Sequence, residues 1–87
     1  MRPSKHLLKL MRAIPTLPED GRYGCGLQEA AGLSSLGMLY VAIEEGVNAC
    51  LLRVERHPGG EDRGFRPRLI VNLTEVGKAV IEREASA

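Results

Sequence analysis

Leu51-Leu-Arg-Val-Glu-Arg-His57, Pro58-Gly-Gly-Glu-Asp-Arg-Gly64, Phe65-Arg-Pro-Arg-Leu-Ile-Val-Asn72 and Leu73-Thr-Glu-Val-Gly77 follow one another without a break, and their reading decides the fold. The second segment concentrates glycine, proline and charge, the composition of a loop. On its far side Leu69, Val71 and Leu73 alternate with Arg66, Arg68, Ile70 and Asn72, the period of a half-buried strand. Pro67 cannot donate to a ladder and belongs on an edge. Thr74 is a good N-cap, since its oxygen satisfies an orphan amide at a helix start. The stretch therefore predicts strands over about 51–57 and 65–72, joined by a charged loop. A last helix follows, with Val76, Val80 and Ile81 along one side.

The residues before the hairpin predict three helices. Pro3-Ser4 can open the first, because proline is tolerated in an initial turn. Leu7, Leu10, Met11 and Ile14 recur at helical spacing as a core stripe, with Lys5, Lys9 and Arg12 on the wet side. Pro15 and Pro18 end it, and Pro18-Glu-Asp-Gly21 is a turn. A short helix fits Gly24–Ala31, with Leu27, Ala30 and Ala31 inward. Gly32 stops it in the left-handed conformation that glycine adopts without penalty. Ser34 or Ser35 caps the third helix, which runs from about Ser35 to Asn48. On a helical wheel Leu36, Leu39, Tyr40, Ile43 and Val47 cluster on a core face, opposite Ser34, Met38, Val41, Ala42 and Glu45. A charged hairpin after three helices, closed by a fourth, makes a winged helix-turn-helix. This is an α+β fold of order α-α-α-β-β-α in one domain, residues 1–87, with room for a short extra strand at Arg22–Tyr23 beside the wing.

Composition narrows the function classes. Eighty-seven residues, 44% of them hydrophobic, suffice for one small core, burying roughly 60% of the unfolded surface. Phe65, Tyr23 and Tyr40 are too few aromatics for a base-stacking platform. The net charge is only +1, but the charges segregate. Arg2, Lys5, Lys9 and Arg12 are the only charged side chains of residues 1–12. Arg22 stands against Glu19, Asp20, Glu29, Glu44 and Glu45 in residues 13–50. No apolar run approaches the ~20 residues that span a bilayer, and the basic start lacks the apolar core of a signal peptide. A cytoplasmic protein with reduced Cys25 and Cys50 is expected, without membrane association. The glycine-rich Gly21–Gly26 segment follows a turn rather than a strand and lacks a P-loop lysine. His6, His57 and the two cysteines form no metal-ligand spacing. Catalysis, a cofactor and a metal are not expected.

The sequence resembles winged-helix regulators of the PadR type, and more loosely of the MarR type. The resemblance lies in Tyr23-Gly24-Cys25-Gly26-Leu27 at the opening of helix two and Gly32-Leu33-Ser34-Ser35 at the turn. It continues in Leu39-Tyr40-Val41-Ala42-Ile43 on the reading helix and Leu73-Thr74-Glu75-Val76-Gly77 after the wing. It spans about residues 5–85 and implies DNA binding and transcription regulation, with Tyr40 in the place of a tyrosine that touches the DNA backbone. The chain departs from the family pattern where Glu44-Glu45 stand near basic positions, Val47 is displaced and Cys50 replaces a glycine. An extra residue falls near Leu36, and the family's long C-terminal dimerisation region has no counterpart.

The candidate DNA contacts are accordingly Arg53, Arg56, Arg63, Arg66 and Arg68 on the wing, with His57 beside them. Their guanidinium groups suit phosphate or a minor groove. Ser34 and Ser35 at the helix N-terminus suit phosphate, and Met38, Val41 and Ala42 suit thymine methyls. The resemblance adds Tyr40. Such modules bind as two-fold dimers, and apolar patches around Leu8 and Ile81 are candidates for a homodimer contact. The rival reading is a winged helix repurposed as an adaptor or inhibitor, which binds a protein partner through Met38, Val41 and Ala42 instead of DNA.

Overall fold

The computed structural model describes residues 3–57 and 68–86, and within them the expected order of elements is present. Helix α1 (Lys5–Ala13) begins at Ser4, whose hydroxyl oxygen accepts the Leu7 amide at 3.2 Å. Leu7, Leu10, Met11 and Ile14 are all buried along its inner face, while Lys5, Lys9 and Arg12 stay exposed. Two 3-10 turns, Ile14–Thr16 and Glu19–Gly21, carry the chain past Pro15 and Pro18, since a ring nitrogen cannot extend the helical ladder.

Helix α2 (Gly24–Ala31) buries Leu27 and Ala31 and leaves Ala30 exposed. It closes in a Schellman arrangement at Gly32, which has φ of 71°. The Gly32 amide donates to the Glu29 carbonyl and the Leu33 amide to the Gln28 carbonyl, so the last carbonyls find partners before the chain reverses. Ser35 then caps helix α3 (Leu36–Asn48), accepting the Met38 amide at 3.1 Å.

The orientation of α3 corrects the wheel. Its buried residues are Leu39, Ala42, Ile43 and Gly46, a face turned by roughly 70° from the expected one. Ala42 is fully buried, whereas Leu36, Tyr40 and Val47 are 36%, 50% and 43% exposed. The cause is close packing at small residues. A Cβ on Gly46 would collide with the Leu52 side chain and come within 3.0 Å of Leu7 Cδ1. The helix turns its least bulky side to α1 and the hairpin, which lets the neighbouring leucines fill the gap at interior density.

Strands β1 (Leu52–His57) and β2 (Arg68–Leu73) pair antiparallel, in a register that sets Leu52 opposite Leu73 and His57 opposite Arg68. The sheet has these two strands alone among the described residues. At the expected third strand there is one backbone hydrogen bond, from the Val71 amide to the Arg22 carbonyl at 2.9 Å. Arg22 has φ/ψ of −89°/56°, which leaves the extended region and turns the chain away after one contact. Its side chain strengthens that contact by donating to Asn72 Oδ1 at 2.6 Å and to the Leu17 carbonyl at 3.0 Å. Ile70, expected to face out, is buried beside Val71, because the Glu19–Gly21 turn lies against β2.

Helix α4 (Glu75–Ser86) starts on the turn between α3 and β1. The Thr74 amide donates to the Leu51 carbonyl at 3.1 Å, and its hydroxyl donates to the Cys50 carbonyl at 2.7 Å. The same hydroxyl oxygen accepts the Gly77 amide at 3.0 Å. Gly77 is buried there, and any Cβ on it would overlap the Leu51 carbonyl oxygen. The Leu-Thr-x-x-Gly step is thus a docking device: threonine ties the helix start to the turn, and glycine admits the turn's backbone. Val76, expected on the packed side, is 56% exposed, whereas Val80 and Ile81 are half-buried against the core.

Cys50 in this turn has φ of 62°, a conformation that costs a side-chain-bearing residue about 1–2 kcal/mol. Cys50→Gly is therefore expected to stabilise the chain by about 1 kcal/mol in urea denaturation. Gly77→Ala should destabilise it by about 2 kcal/mol or more through overpacking against backbone.

Candidate nucleic-acid interface

Two elements carry the candidate contacts, α3 and the hairpin. With Leu39, Ala42, Ile43 and Gly46 inward, the outermost line of α3 is Gly37, Val41, Glu44 and Asn48, all exposed. Leu36, Tyr40 and Val47 flank it as exposed apolar groups. Met38 lies on the other flank, half-buried and packed against the core. Ser34 is exposed in the turn, and Ser35 is exposed with its hydroxyl engaged as the cap. The outward surface holds no lysine or arginine, because α3 contains none.

Glu45, expected at the centre of the outer face, turns back to α1. Its carboxylate accepts the Ser4 amide at 3.1 Å and the Ser4 hydroxyl at 2.8 Å. A negative group here complements the partial positive charge of a helix N-terminus. Glu45 therefore acts as a structural anchor, and Glu44 is the carboxylate that faces out. The same contact sets Ser4 and Lys5 at the C-terminal end of α3. Ten residues of helix, about 15 Å, separate that end from Ser35, so Lys5 does not extend a basic stripe to the Ser34–Ser35 turn.

On the hairpin, Arg53 and Arg56 are both exposed. Strand alternation divides them between two faces. Arg56 shares a face with Leu52, Val54, Leu69, Val71 and Leu73, at the outer end of the core-facing side. Arg53 lies on the other face with Glu55, Ile70 and Asn72. Arg68 begins β2 opposite His57, with its side chain outside the described residues. Arg63 and Arg66 also lie outside the described residues, as does Arg2.

The chain matches no protein-family model and no curated protein. Among solved structures it is similar to a PadR-like transcription factor from Bacteroides fragilis, with a TM-score of 0.64 and 25% sequence identity. The likeness covers 94% of this chain and 81% of that one. The fold is that of a PadR-like winged helix.

Within the PadR-like frame, the replaced glycine at Cys50 occupies a left-handed position, which explains why a glycine suits it. Cys25 and Cys50 are free and exposed. Among the described residues no group of three metal-ligating side chains converges, and no helix is long and apolar enough to cross a membrane. An open groove of about 560 Å³ lies between Pro3 and Leu7 of the N-terminal region, Glu45, Asn48 and Ala49 at the end of α3, Leu51, and Val80 of α4.

The sequence wheel missed the outward placement of Leu36, Tyr40 and Val47. The signal that reveals it is Ala42 and Gly46 four residues apart, a small-residue track that marks the packed side of the helix. Stability separates the adjacent glutamates. Glu45→Ala is expected to cost about 1–2 kcal/mol through loss of its two hydrogen bonds to Ser4, and Glu44→Ala less than about 0.5 kcal/mol. Urea titration of the two variants checks this.

Proposed function

We propose that this chain is a small sequence-specific DNA-binding protein, a transcriptional regulator, with α3 as recognition helix and the 51–72 hairpin as wing. The observation that carries the reading is the likeness, over 94% of the chain, to a protein described as a transcription factor. The exposed Arg53 and Arg56 on the hairpin support it. In this reading α3 enters the major groove, and the wing arginines lie on flanking phosphates or in the minor groove. Ser34 and Ser35 approach a phosphate at the start of α3, and the exposed Tyr40 touches the backbone beside it. Most of the affinity comes from Arg53, Arg56, Arg63, Arg66 and Arg68, because α3 contributes no cation. A homodimer would present two such units to half-sites about one helical turn apart, through surfaces near Leu8 and Ile81, both half-buried.

One observation favours a second reading. Leu36, Tyr40, Val41 and Val47 make an exposed apolar face on α3, a surface that also suits a protein partner. Ala42 drops out of that contact, being fully buried, and Met38 contributes only an edge.

Salt distinguishes the readings. Duplex binding should weaken with salt along a log–log slope of about −0.9 per phosphate contact. Arg53→Ala with Arg56→Ala should lower that slope by up to about 2. Arg63→Ala with Arg66→Ala should abolish binding in fluorescence anisotropy while leaving the far-UV dichroism of the fold intact. A wild-type chain that binds no duplex even at low salt would sink the DNA reading.

A further inference from the structure

Resting on the duplex-binding reading, we propose that α3 selects a thymine C5-methyl beside a cytosine amine, through Val41 and Glu44, and makes no guanine-directed contact. The outermost line of the helix is Gly37, Val41, Glu44 and Asn48. At Gly37 a Cβ would find only Ser35 Oγ nearby, at 3.6 Å. The missing side chain thus leaves the backbone free to approach the groove floor.

Val41 is 60% exposed, with two methyls and no polar atom. The apolar feature of the major groove is the thymine methyl. Glu44, exposed one turn further on, is an acceptor alone when ionised. Guanine N7 and O6, thymine O4 and every phosphate oxygen are acceptors too, and repel it. The donors left in the major groove are cytosine N4 and adenine N6. Adenine sets the N7 acceptor beside its amine, which disfavours a carboxylate, so cytosine is the better match. Residues three apart on a helix are surface neighbours, so the two side chains meet adjacent or next-adjacent base pairs. The commonest readers of guanine are arginine and lysine, and α3 has neither.

The labour is therefore divided: the wing supplies attraction, and the carboxylate of α3 rejects most sites. Removing Glu44 should accordingly loosen choice while raising affinity, an effect that a purely structural residue would not produce.

The test uses the full chain. Duplexes are first selected from a randomised pool, then measured by anisotropy. Selected sites should share a thymine with a cytosine one or two base pairs away. Replacing that thymine with deoxyuridine, which lacks the methyl, should weaken binding about fourfold, the equivalent of one buried methyl group. Val41→Ser should make thymine and uracil duplexes equivalent. Glu44→Ala should erase the cytosine preference and tighten binding to unselected duplex. Both positions are exposed, and far-UV dichroism confirms that the variants fold. If uracil substitution changes nothing, or Glu44→Ala keeps the cytosine preference, the proposal is overturned while salt-dependent duplex binding stands. If the wild type binds no duplex at low salt, the functional reading falls and takes the proposal with it.

Discussion

The docking of α4 onto the Cys50–Leu51 turn is the constraint that the rest of the structure depends on. Two carbonyls of that turn, at Cys50 and Leu51, receive the Thr74 hydroxyl and amide, and Gly77 gives the Leu51 carbonyl room. The turn joins α3 to β1, so fixing it sets the angle between them. It also holds β2 in register, because Leu73, opposite Leu52, directly precedes the tie. Leu51, Leu52 and Val71 then enter the buried cluster that contains Leu7, Leu10 and Leu39. A pair of hydrogen bonds thus transmits order from the hairpin to the helical layer.

Much of this was legible in the residues. Gly32 was readable as a helix end and the Ser34–Ser35 pair as a helix start, because glycine serves as a left-handed stop and serine as an amide acceptor. The choice of Ser35 came only with the structure. The α1 stripe was readable because Leu7, Leu10, Met11 and Ile14 are large and regularly spaced. The orientation of α3 was not, because the wheel weights bulk, and this helix is packed by what it lacks at Gly46. Ile70 escaped the period-two pattern for a related reason: a turn fifty residues earlier in the chain covers the second face of β2, and alternation knows nothing of distant cover. The wheel's error also set Glu45 rather than Glu44 on the outer face, since neighbours on a helix point 100° apart and only the packed side decides which one faces water.

The charge distribution gives the two candidate surfaces opposite characters. The hairpin offers exposed guanidinium groups on both faces. The outer side of α3 offers apolar groups and one carboxylate. A surface of the first kind attracts phosphate over several ångströms whatever the sequence. A surface of the second kind acts at contact, and chiefly by exclusion. Under the proposed reading, their separation on different elements lets strength and choice of binding be altered independently.

The bond between Glu45 and Ser4 links residues 41 positions apart. During synthesis α1 precedes α3, yet its opening turn lacks that carboxylate until most of α3 has followed. A segment made before α3 is thus completed only after it. Its N-terminal end should fray and re-form until α3 is in place, which makes the integrity of α1 a report on α3.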